Sequence, residues 1–387
     1  MSYLNSEKKY VFQTYKRYQI LFVKGKGKYL WDDKGKKYLD FLSGISVCST
    51  GHCNPKVVEA IQKQSGKLIH VSNLFYIKPQ IELAKMLSNI SFGGKVFFSN
   101  SGAEANECAI KLARKWGDGR YEIISFNNSF HGRTIATLSA TGQKKFSKGF
   151  EPLLSGFKFA DLNDISSVER LINNKTCAVI VEPIQGEGGV CLATKEFLTD
   201  LKRICKKNNI LLIFDEIQCG LGRTGKIFAY KNYGIEPDII TLAKSLGGGL
   251  PIAATIAKKG IAEILSYGSH GSTFGGNPVC CAAALEVLKI VNNKKVLKNV
   301  EITGKYFLDK LNILQEKYNF IKEVRGLGFI IGIELNIDGK EIVKRCLQRG
   351  LIINCTQDKV LRFLPPLIIN KKDVDAAISI LEDSFIE

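Results

Sequence analysis

The sequence lacks the long apolar run that a membrane-spanning helix requires, and its first residues form no apolar core of a signal peptide. We therefore expect a cytoplasmic protein that does not bind a membrane. Its 11 cysteines include no CxxC pair and no spacing typical of a zinc site. Free thiols in a reducing compartment are the expected state, and we expect no metal site.

The sequence also has no basic segment interleaved with aromatic side chains, although its net charge is +18. Such a charge can indicate a nucleic-acid-binding protein. Because the lysines are scattered along the chain among acidic residues, we expect no nucleic-acid partner. The positive field would still attract anionic small molecules.

The length of 387 residues predicts two domains, since one hydrophobic core usually stops growing below this size. Apolar runs alternate with helical patterns from residue 54 to 276, which predicts an α/β fold with a parallel sheet. The predicted strands of this region are 95–98, 122–126, 178–181, 210–214, 238–242 and 253–257. Short strands precede it at 20–23, 28–31 and 37–40, with a turn at 32–35. After it come helices at 280–291, 297–318 and from 371, and strands at 328–335 and 360–363.

Lys244 and Asp215 each follow a predicted buried strand, at the edge where parallel sheets carry their sites. A buried lysine loses its proton easily and reacts with aldehydes. A carboxylate facing a pyridinium nitrogen is the usual partner when that aldehyde is pyridoxal phosphate. Taken singly, each residue has another interpretation, a surface lysine or a helix cap. Together they indicate a pyridoxal phosphate enzyme.

Small residues follow the strand at 95–98 and open a helix. Ser101, Gly102 and Ala103 stand where backbone N–H groups and the helix dipole favour an anion. The same segment also fits a simple capping box, with Ser101 as N-cap and Glu104 as its partner. A capped helix start and a phosphate site are compatible, and we expect both.

Two further segments carry candidate contacts for a planar ring and for carboxylates. Phe130 can stack on a planar cofactor, and Arg133 can hold a carboxylate with two parallel hydrogen bonds. A core phenylalanine beside a surface arginine is the alternative. Glu182 ends another predicted strand, and Arg362 is its expected ion-pair partner.

The segment Gly220-Leu-Gly-Arg-Thr-Gly225 fits the G-x-G-x-x-G pattern of dinucleotide-binding proteins. However, residues 215–218 separate its first glycine from the strand, whereas that fingerprint places the glycine in the turn itself. Ile227 stands where a P-loop needs a serine or threonine for magnesium. We therefore predict no nucleotide site here.

Together these segments resemble the class III (subgroup II) aminotransferases of fold-type I, over nearly the whole sequence. The resemblance implies a large domain, residues 56–278, with a mostly parallel seven-stranded sheet flanked by helices. It also implies a smaller α+β domain from both chain ends, residues 1–55 and 279–387. In this family the lysine matching Lys244 holds the cofactor covalently and then moves the substrate proton, while Asp215 pairs with the pyridine nitrogen. The residues expected at the cofactor are Ser101, Gly102, Ala103, Phe130, Glu187, Asp215, Gln218, Lys244, Ser272 and Thr273.

The resemblance further implies a homodimer with shared active sites, since Thr273 would reach the phosphate of the neighbouring subunit. Gln218 would contact the phenolic oxygen of the cofactor. Arg133 would hold the α-carboxylate of N-acetylornithine, and Arg362 that of 2-oxoglutarate or glutamate. Glu182 would mask Arg362 while the amine donor is bound. Ile45 and His131 stand where ornithine aminotransferases usually carry Tyr and Trp, and both departures favour an acylated substrate.

The expected reaction transfers the δ-amino group of N-acetylornithine to 2-oxoglutarate, a step of arginine biosynthesis. Related ω-aminotransferases remain open alternatives, with succinyl-diaminopimelate, succinylornithine, ornithine or 4-aminobutyrate as substrate. A mutase that moves an amine within one molecule would not need Arg362. A non-catalytic nucleic-acid-binding protein is the remaining alternative, and it rests on the charge alone.

Overall fold

A seven-stranded sheet forms the centre of the computed structural model, which describes residues 3–386. Its strands lie in the spatial order Lys95–Ser99, Ala253–Ala257, Ile239–Leu242, Leu211–Asp215, Thr176–Val181, Glu122–Phe126 and Phe157–Ala160. Only Ala253–Ala257 runs antiparallel to its neighbours within this sheet. The expectation of a mostly parallel seven-stranded sheet is confirmed.

The central strands are apolar throughout because helices cover both faces of the sheet. All residues of Thr176–Val181, Leu211–Asp215 and Ile239–Leu242 are buried. Along one strand, Leu212 packs with the layer of helix Lys195–Lys207, and Ile213 packs with the layer of helix Gly102–Trp116. Continuous apolar runs are the signature of strands buried on both faces.

The helices around the sheets are both long and short. The long ones are Pro55–Ser65, Lys78–Ile90, Gly102–Trp116, Lys195–Lys207, Pro278–Val291, Lys294–Lys317, Lys340–Gln348 and Lys371–Asp383. The shorter ones are Tyr3–Tyr10, Ser43–Ser46, Ile135–Ala140, Lys144–Ser147, Ile165–Leu171, Tyr230–Tyr233, Lys259–Ala262 and the 3₁₀ helix Lys244–Gly247.

Two smaller sheets bring together the ends of the chain. One has the order Phe22–Lys26, Tyr29–Asp32, Lys37–Asp40 and Leu351–Ile352; the other has the order Ile321–Leu327, Ile330–Leu335, Val360–Phe363 and Asn354–Thr356. Leu351–Ile352 pairs in parallel with Lys37–Asp40, so N-terminal and C-terminal segments share one sheet. A short hairpin, Ile184–Gln185 with Cys191–Leu192, follows the central sheet strand Thr176–Val181. The domain boundaries at 55 and 278 stay predictions, and Met1, Ser2 and Glu387 lie outside the described residues.

The strands and helices predicted from the sequence are present, with shifted ends. Helix Gly102–Trp116 begins directly after Ser101, which is its N-cap as predicted. The predicted strand at 20–23 is found at Phe22–Lys26, where its pairing contains an irregularity at Phe22 and Lys24. The sequence reasoning missed strand Phe157–Ala160, whose short apolar pattern is interrupted by Lys158.

Among residues 3–386, no helix is long and apolar enough to cross a membrane. In the same part of the chain, no group of His, Cys, Asp and Glu side chains is arranged to hold a metal ion.

Candidate active site

A cavity of about 480 Å³ lies beside the carboxyl ends of the central strands. This volume is in the range of small-molecule and cofactor sites. The predicted residues that line it are Ser101, Gly102, Ala103, Phe130, Arg133, Glu182, Glu187, Asp215, Gln218 and Lys244. Residues far apart in the sequence therefore meet at one sheet edge, as parallel strand order requires.

Lys244 enters the cavity from the end of strand Ile239–Leu242. It begins the 3₁₀ helix with a φ of 43°, a left-handed conformation that is uncommon for a residue other than glycine. Its side chain borders the cavity, and burial lowers the pKa of its amine, against the opposing influence of Glu187. A lysine with a lowered pKa is a better nucleophile and proton carrier.

The Asp215 carboxylate, 3% exposed, is fixed by three hydrogen bonds. Its Oδ2 accepts from Asn106 Nδ2 at 2.7 Å and from His131 Nδ1 at 2.8 Å, and its Oδ1 accepts from the Ile217 amide at 3.0 Å. Asn106 is held in turn by the Thr241 hydroxyl at 2.8 Å. Such a network immobilises a carboxylate that would otherwise be costly to bury.

His131 is the main functional residue whose contact the sequence reasoning missed. Burial alone would lower its pKa, but the hydrogen bond to Asp215 raises it. Its Nε2 is buried without a partner among the described residues. The structure therefore relates His131 to Asp215, whereas we had related it to substrate choice. Two features of the sequence could have indicated this contact. His131 is a polar residue between the apolar strand 122–126 and Gly132, and Asn106 lies on an otherwise apolar helix face.

The start of helix Gly102–Trp116 is both a capped end and a candidate anion site. Ser101 Oγ accepts from the Glu104 amide at 3.2 Å, and the Glu104 carboxylate accepts from the Asn100 amide at 2.6 Å. The amides of Gly102 and Ala103 have no acceptor within the helix, as is general for a first turn. A Cβ on Gly102 would lie 2.9 Å from Ile217 Cδ1, so the backbone approaches closely at this point.

Arg362 pairs with Glu187, and the prediction that Glu182 is its partner is wrong. Arg362 Nη1 donates to Glu187 Oε1 at 2.6 Å, while Arg362 Nη2 is buried without a partner among the described residues. Burial alone would raise the pKa of Glu187, but Arg362 and Lys244 lower it to about 2. Glu187 therefore stays ionised at neutral pH.

Glu182 instead holds two backbone amides. It accepts from the Phe130 amide at 2.8 Å and from the Gly186 amide at 3.4 Å, and burial raises its pKa. The physical reason is the hairpin that follows Glu182. This hairpin carries Glu187 towards the C-terminal strand of Arg362 and leaves Glu182 at the strand end.

Gln218 connects Glu187 and Arg362. Its Nε2 donates to Glu187 Oε1 at 3.1 Å, and its Oε1 accepts from Arg362 Nη1 at 3.0 Å. A Cβ on Gly186 would lie 1.8 Å from Gln218 Oε1, so only glycine leaves room for this side chain. Gly186 therefore lets Gln218 keep its contacts with both Glu187 and Arg362.

Phe130 and Arg133 also line the cavity, beside Phe146. The ring of Phe130 packs edge to face against Phe146, with centroids 5.6 Å apart. The guanidinium of Arg133 lies 4.0 Å from the centroid of Phe146, and the residue is exposed. An exposed cationic group beside aromatic rings suits the recognition of a carboxylate at the mouth.

Ile45, Arg362, Ser272 and Thr273 do not line the cavity of this single chain. Ile45 has a φ of 61° and is 36% exposed, next to the cavity residue Val47. Ser272 Oγ accepts from Asn100 Nδ2 at 3.2 Å. Thr273 is exposed and does not contribute to the cavity of its own subunit.

A family model described as aminotransferase class-III matches residues 10–385, and the chain belongs to this family. Pyridoxal phosphate is the cofactor of class-III aminotransferases. The acetylornithine aminotransferase of Methanocaldococcus jannaschii is 53% identical over 100% of this chain and 98% of its own length. The acetylornithine/succinyldiaminopimelate aminotransferase of Buchnera aphidicola is 47% identical over 95% of this chain and 92% of its own length.

Solved structures show the same fold over nearly the whole chain. The ornithine aminotransferase of Toxoplasma gondii has a TM-score of 0.95 and 36% identity, covering 99% of this chain and 94% of that one. The N-acetylornithine aminotransferase of Stenotrophomonas maltophilia has a TM-score of 0.85 and 34% identity, covering 99% and 98%. The backbone thus resembles enzymes with either substrate, and substrate choice depends on side chains.

Proposed function

We propose that this chain transfers the δ-amino group of N-acetyl-L-ornithine to 2-oxoglutarate, giving N-acetyl-L-glutamate 5-semialdehyde and L-glutamate in arginine biosynthesis. The observation that carries the proposal is the presence of two separate arginines for carboxylates. Arg133 is exposed, whereas Arg362 is 0% exposed and neutralised by Glu187. An enzyme that accepts a δ-amine and an α-amine in turn needs one permanent and one removable carboxylate contact. A cytoplasmic location is part of this proposal.

The donor set around the cavity fits pyridoxal phosphate. Asp215 would pair with the pyridine nitrogen, and Lys244 would hold the aldehyde carbon. Ser101, Gly102 and Ala103 would receive the phosphate at the helix start. Phe130 would pack on the ring, and Gln218 would contact the phenolic oxygen, while Glu187 lies beside it. Arg362 Nη2, buried without a partner among the described residues next to the cavity residues Glu187 and Gln218, supports a polar ligand there.

When bound, this cofactor supplies an electron sink for the substrate carbon that loses a proton. Asn106, His131 and the Ile217 amide hold the Asp215 carboxylate in place, where it would face the ring nitrogen. Lys244 would serve as the proton carrier, since burial lowers the pKa of its amine and makes the proton easier to give up.

Glu187 acts as a removable mask for Arg362. With N-acetylornithine bound, the ion pair at 2.6 Å stays closed and leaves no free cation near an apolar substrate chain. With glutamate or 2-oxoglutarate bound, the α-carboxylate replaces Glu187 on Arg362, and Glu187 moves away. The unpartnered Nη2 supports this exchange because it offers a second donor for a bidentate carboxylate.

The proposed assembly is a homodimer with shared active sites. Large apolar side chains are exposed in the two segments that contain Asn73 and Thr273: Leu74 is 88%, Tyr76 97%, Tyr267 107% and Phe274 61% exposed. Asn73 Nδ2 joins these segments by donating to Ser272 O at 2.9 Å. Exposed apolar side chains of this size support a protein partner, and a second copy would place Thr273 at the neighbouring cofactor phosphate.

An absorbance titration of the purified holoenzyme with N-acetyl-L-ornithine, without keto acid, tests the proposal. The visible band of the lysine-bound cofactor should give way to a near-ultraviolet band, and 2-oxoglutarate should restore it. A visible band that ignores this amine would contradict the substrate but leave the aminotransferase family unchanged. N-succinyl-diaminopimelate is the second amine to test, because the Buchnera relative is named for both substrates.

A further inference from the structure

The Gly220–Gly225 segment, which fits a nucleotide motif but does not have its geometry, contains a buried arginine that joins three parts of the active site. Arg223 is 0% exposed. In the described part of the chain, its hydrogen-bond acceptors are hydroxyl and carbonyl oxygens, with no carboxylate among them. Burial lowers the pKa of this guanidinium to about 9, against the influence of nearby Asp40. An uncompensated buried charge is costly and calls for an explanation.

The first acceptors of Arg223 belong to the N-terminal segment at the cavity. Its Nε donates to Ser46 Oγ at 3.0 Å, and its Nη2 donates to Ser49 Oγ at 2.8 Å. Ser245, the residue after Lys244, donates to the Ser46 carbonyl at 2.6 Å and lies 2.6 Å from Ser49 Oγ. The guanidinium thus holds the segment with Ile45 and Val47 against the turn that carries Lys244.

The remaining acceptors belong to the C-terminal part of the chain. Nη1 of Arg223 donates to the Phe329 carbonyl at 3.2 Å and also to the Pro365 carbonyl. Pro365 directly follows the strand Val360–Phe363 and Leu364, so this contact fixes the end of the strand that carries Arg362. The planar fork of arginine can reach four acceptors in fixed directions, which the single nitrogen of lysine cannot do.

The glycines of this segment serve the same contact. Gly222 and Gly225 have φ values of 88° and 86°, in the left-handed region that favours glycine. The Arg223 carbonyl accepts from the Phe329 amide at 2.8 Å, so the loop also packs by its backbone on the C-terminal sheet. The glycine pattern is therefore explained by a tight turn that presents Arg223 inward.

We propose that Arg223 is a positioning residue for the second substrate: by joining residues 46–49 to Pro365, it sets the place of Arg362 relative to Lys244. This inference rests on the proposed function, in which Arg362 binds the carboxylate of glutamate or 2-oxoglutarate. Arg133 lies on a different loop without contact to these acceptors. Loss of the Arg223 guanidinium should therefore weaken the binding of glutamate much more than the binding of N-acetylornithine.

The test is the variant Arg223→Lys in the holoenzyme, with each half-reaction followed by loss of the visible band. We expect the half-saturating L-glutamate concentration to rise about tenfold or more, since small displacements in a site cost one to two orders of magnitude. The value for N-acetyl-L-ornithine should change less than about threefold, because Arg133 keeps its place. An equal change for both amines, or no change, would overturn the proposal.

The matched control is Arg120→Lys. Arg120 also donates to backbone carbonyls, those of Gly117 and Asn209, but at the amino-terminal edge of the central sheet. This variant should leave both half-saturating concentrations unchanged. If Arg223→Lys does not fold, Ser49→Ala removes one hydrogen-bond acceptor of the same guanidinium. This variant should again raise the half-saturating concentration of L-glutamate more than that of N-acetyl-L-ornithine.

Hydrogen exchange gives a second readout that needs no substrate. The Leu364 amide donates to Phe41 O at 2.7 Å, and the Leu367 amide donates to Ser49 O at 2.8 Å. In Arg223→Lys these two amides should exchange faster, while the strand Leu211–Asp215 keeps its protection. Unchanged exchange at both would overturn the proposal. If neither amine discharges the wild-type band, the proposed function fails, and hydrogen exchange still decides the role of Arg223.

Discussion

At the scale of single residues, Glu182 and Glu187 have opposite surroundings although one short turn separates them. Glu182 accepts from the backbone amides of Phe130 and Gly186, and burial raises its pKa. Glu187 faces Arg362, which together with Lys244 lowers its pKa to about 2 despite burial. The permanently ionised residue is the one suited to neutralise a cation, and this fits its proposed role as a mask.

Glu187→Gln should raise the ratio of kcat/KM for L-glutamate to that for N-acetyl-L-ornithine. A neutral side chain at position 187 binds Arg362 less strongly, so a substrate carboxylate displaces that side chain from Arg362 more easily. Hydrogen bonds to charged groups contribute about 1.5–3 kcal/mol, which corresponds to a shift of about tenfold to a hundredfold. Steady-state kinetics with both amines measures the ratio.

Glu182→Gln is the matched control for that experiment. It keeps an oxygen for the Phe130 amide but makes no contact with Arg362, so both amines should be affected alike. A ratio that moves as much in Glu182→Gln as in Glu187→Gln would contradict the assignment of the mask to Glu187.

At the scale of elements, short turns at strand ends place the functional groups. The turn after strand Thr176–Val181 brings Gly186 against the Gln218 side chain, with 1.8 Å between an added Cβ and Gln218 Oε1. Non-bonded atoms cannot approach this closely. Any side chain at position 186 must therefore displace Gln218 from Glu187 and Arg362.

Gly186→Ala should lower both the melting temperature and the cofactor affinity. Overpacking in a dense site costs about 1–3 kcal/mol, and the displaced Gln218 removes a proposed contact to the cofactor. Thermal unfolding and a fluorescence titration with pyridoxal phosphate measure the two effects. Gly260→Ala is the control, since an added Cβ there meets no atom within 4 Å. Equal effects of both substitutions would refute this account of the turn.

The loop after strand Lys37–Asp40 depends on an ion pair of His52 with Asp40, whose oxygen lies 2.6 Å from His52 Nε2. Burial alone would lower the pKa of His52, but Asp40 and Cys48 raise it to about 10, from an ordinary value of 6.5. Because the folded state holds its proton more tightly, this pair stabilises the fold fully below pH 6.5. The contribution falls as the pH rises through 10.

His52→Gln should therefore destabilise the protein most at pH 6 and progressively less towards pH 10. Melting temperatures of wild type and variant across this range measure the effect. A difference that stays constant with pH would mean that His52 contributes through packing and not through its charge.

At the scale of the whole molecule, two of the residues predicted to bind the cofactor, Ser272 and Thr273, lie outside the cavity of one chain. Thr273 is exposed and does not line the cavity, and the residue after it, Phe274, is also exposed. The net charge of +18 produces a positive field that attracts anionic substrates and the anionic cofactor to the protein.

Mixing two inactive or weakened variants tests the shared site. Lys244→Ala should abolish turnover, and Thr273→Ala should weaken cofactor binding through the lost phosphate contact. In a hybrid dimer, one site combines intact Lys244 with intact Thr273 from the other subunit, so activity at limiting cofactor should reappear after subunit exchange. Activity no greater than the average of the two parents would indicate that Thr273 serves its own subunit or neither.

Much of the fold was predictable because its signals are local. Strands Leu211–Asp215 and Ile239–Leu242 are continuous apolar runs, and Ser101 caps its helix within three residues. Strand Phe157–Ala160 was missed, since a short edge strand with a lysine has no distinct pattern. Ten predicted residues line one cavity, because they follow strand ends or begin a helix, positions that a sequence reveals.

The sequence by itself determined the central sheet, the places of Lys244 and Asp215 at strand ends, and the family of the chain. Only the tertiary structure decided that Arg362 pairs with Glu187, that His131 supports Asp215, and that Arg223 joins the N-terminal and C-terminal segments. The physical reason is range. Backbone propensities, caps and apolar periodicity act over a few residues, whereas an ion pair between distant segments depends on how hairpins and sheets pack.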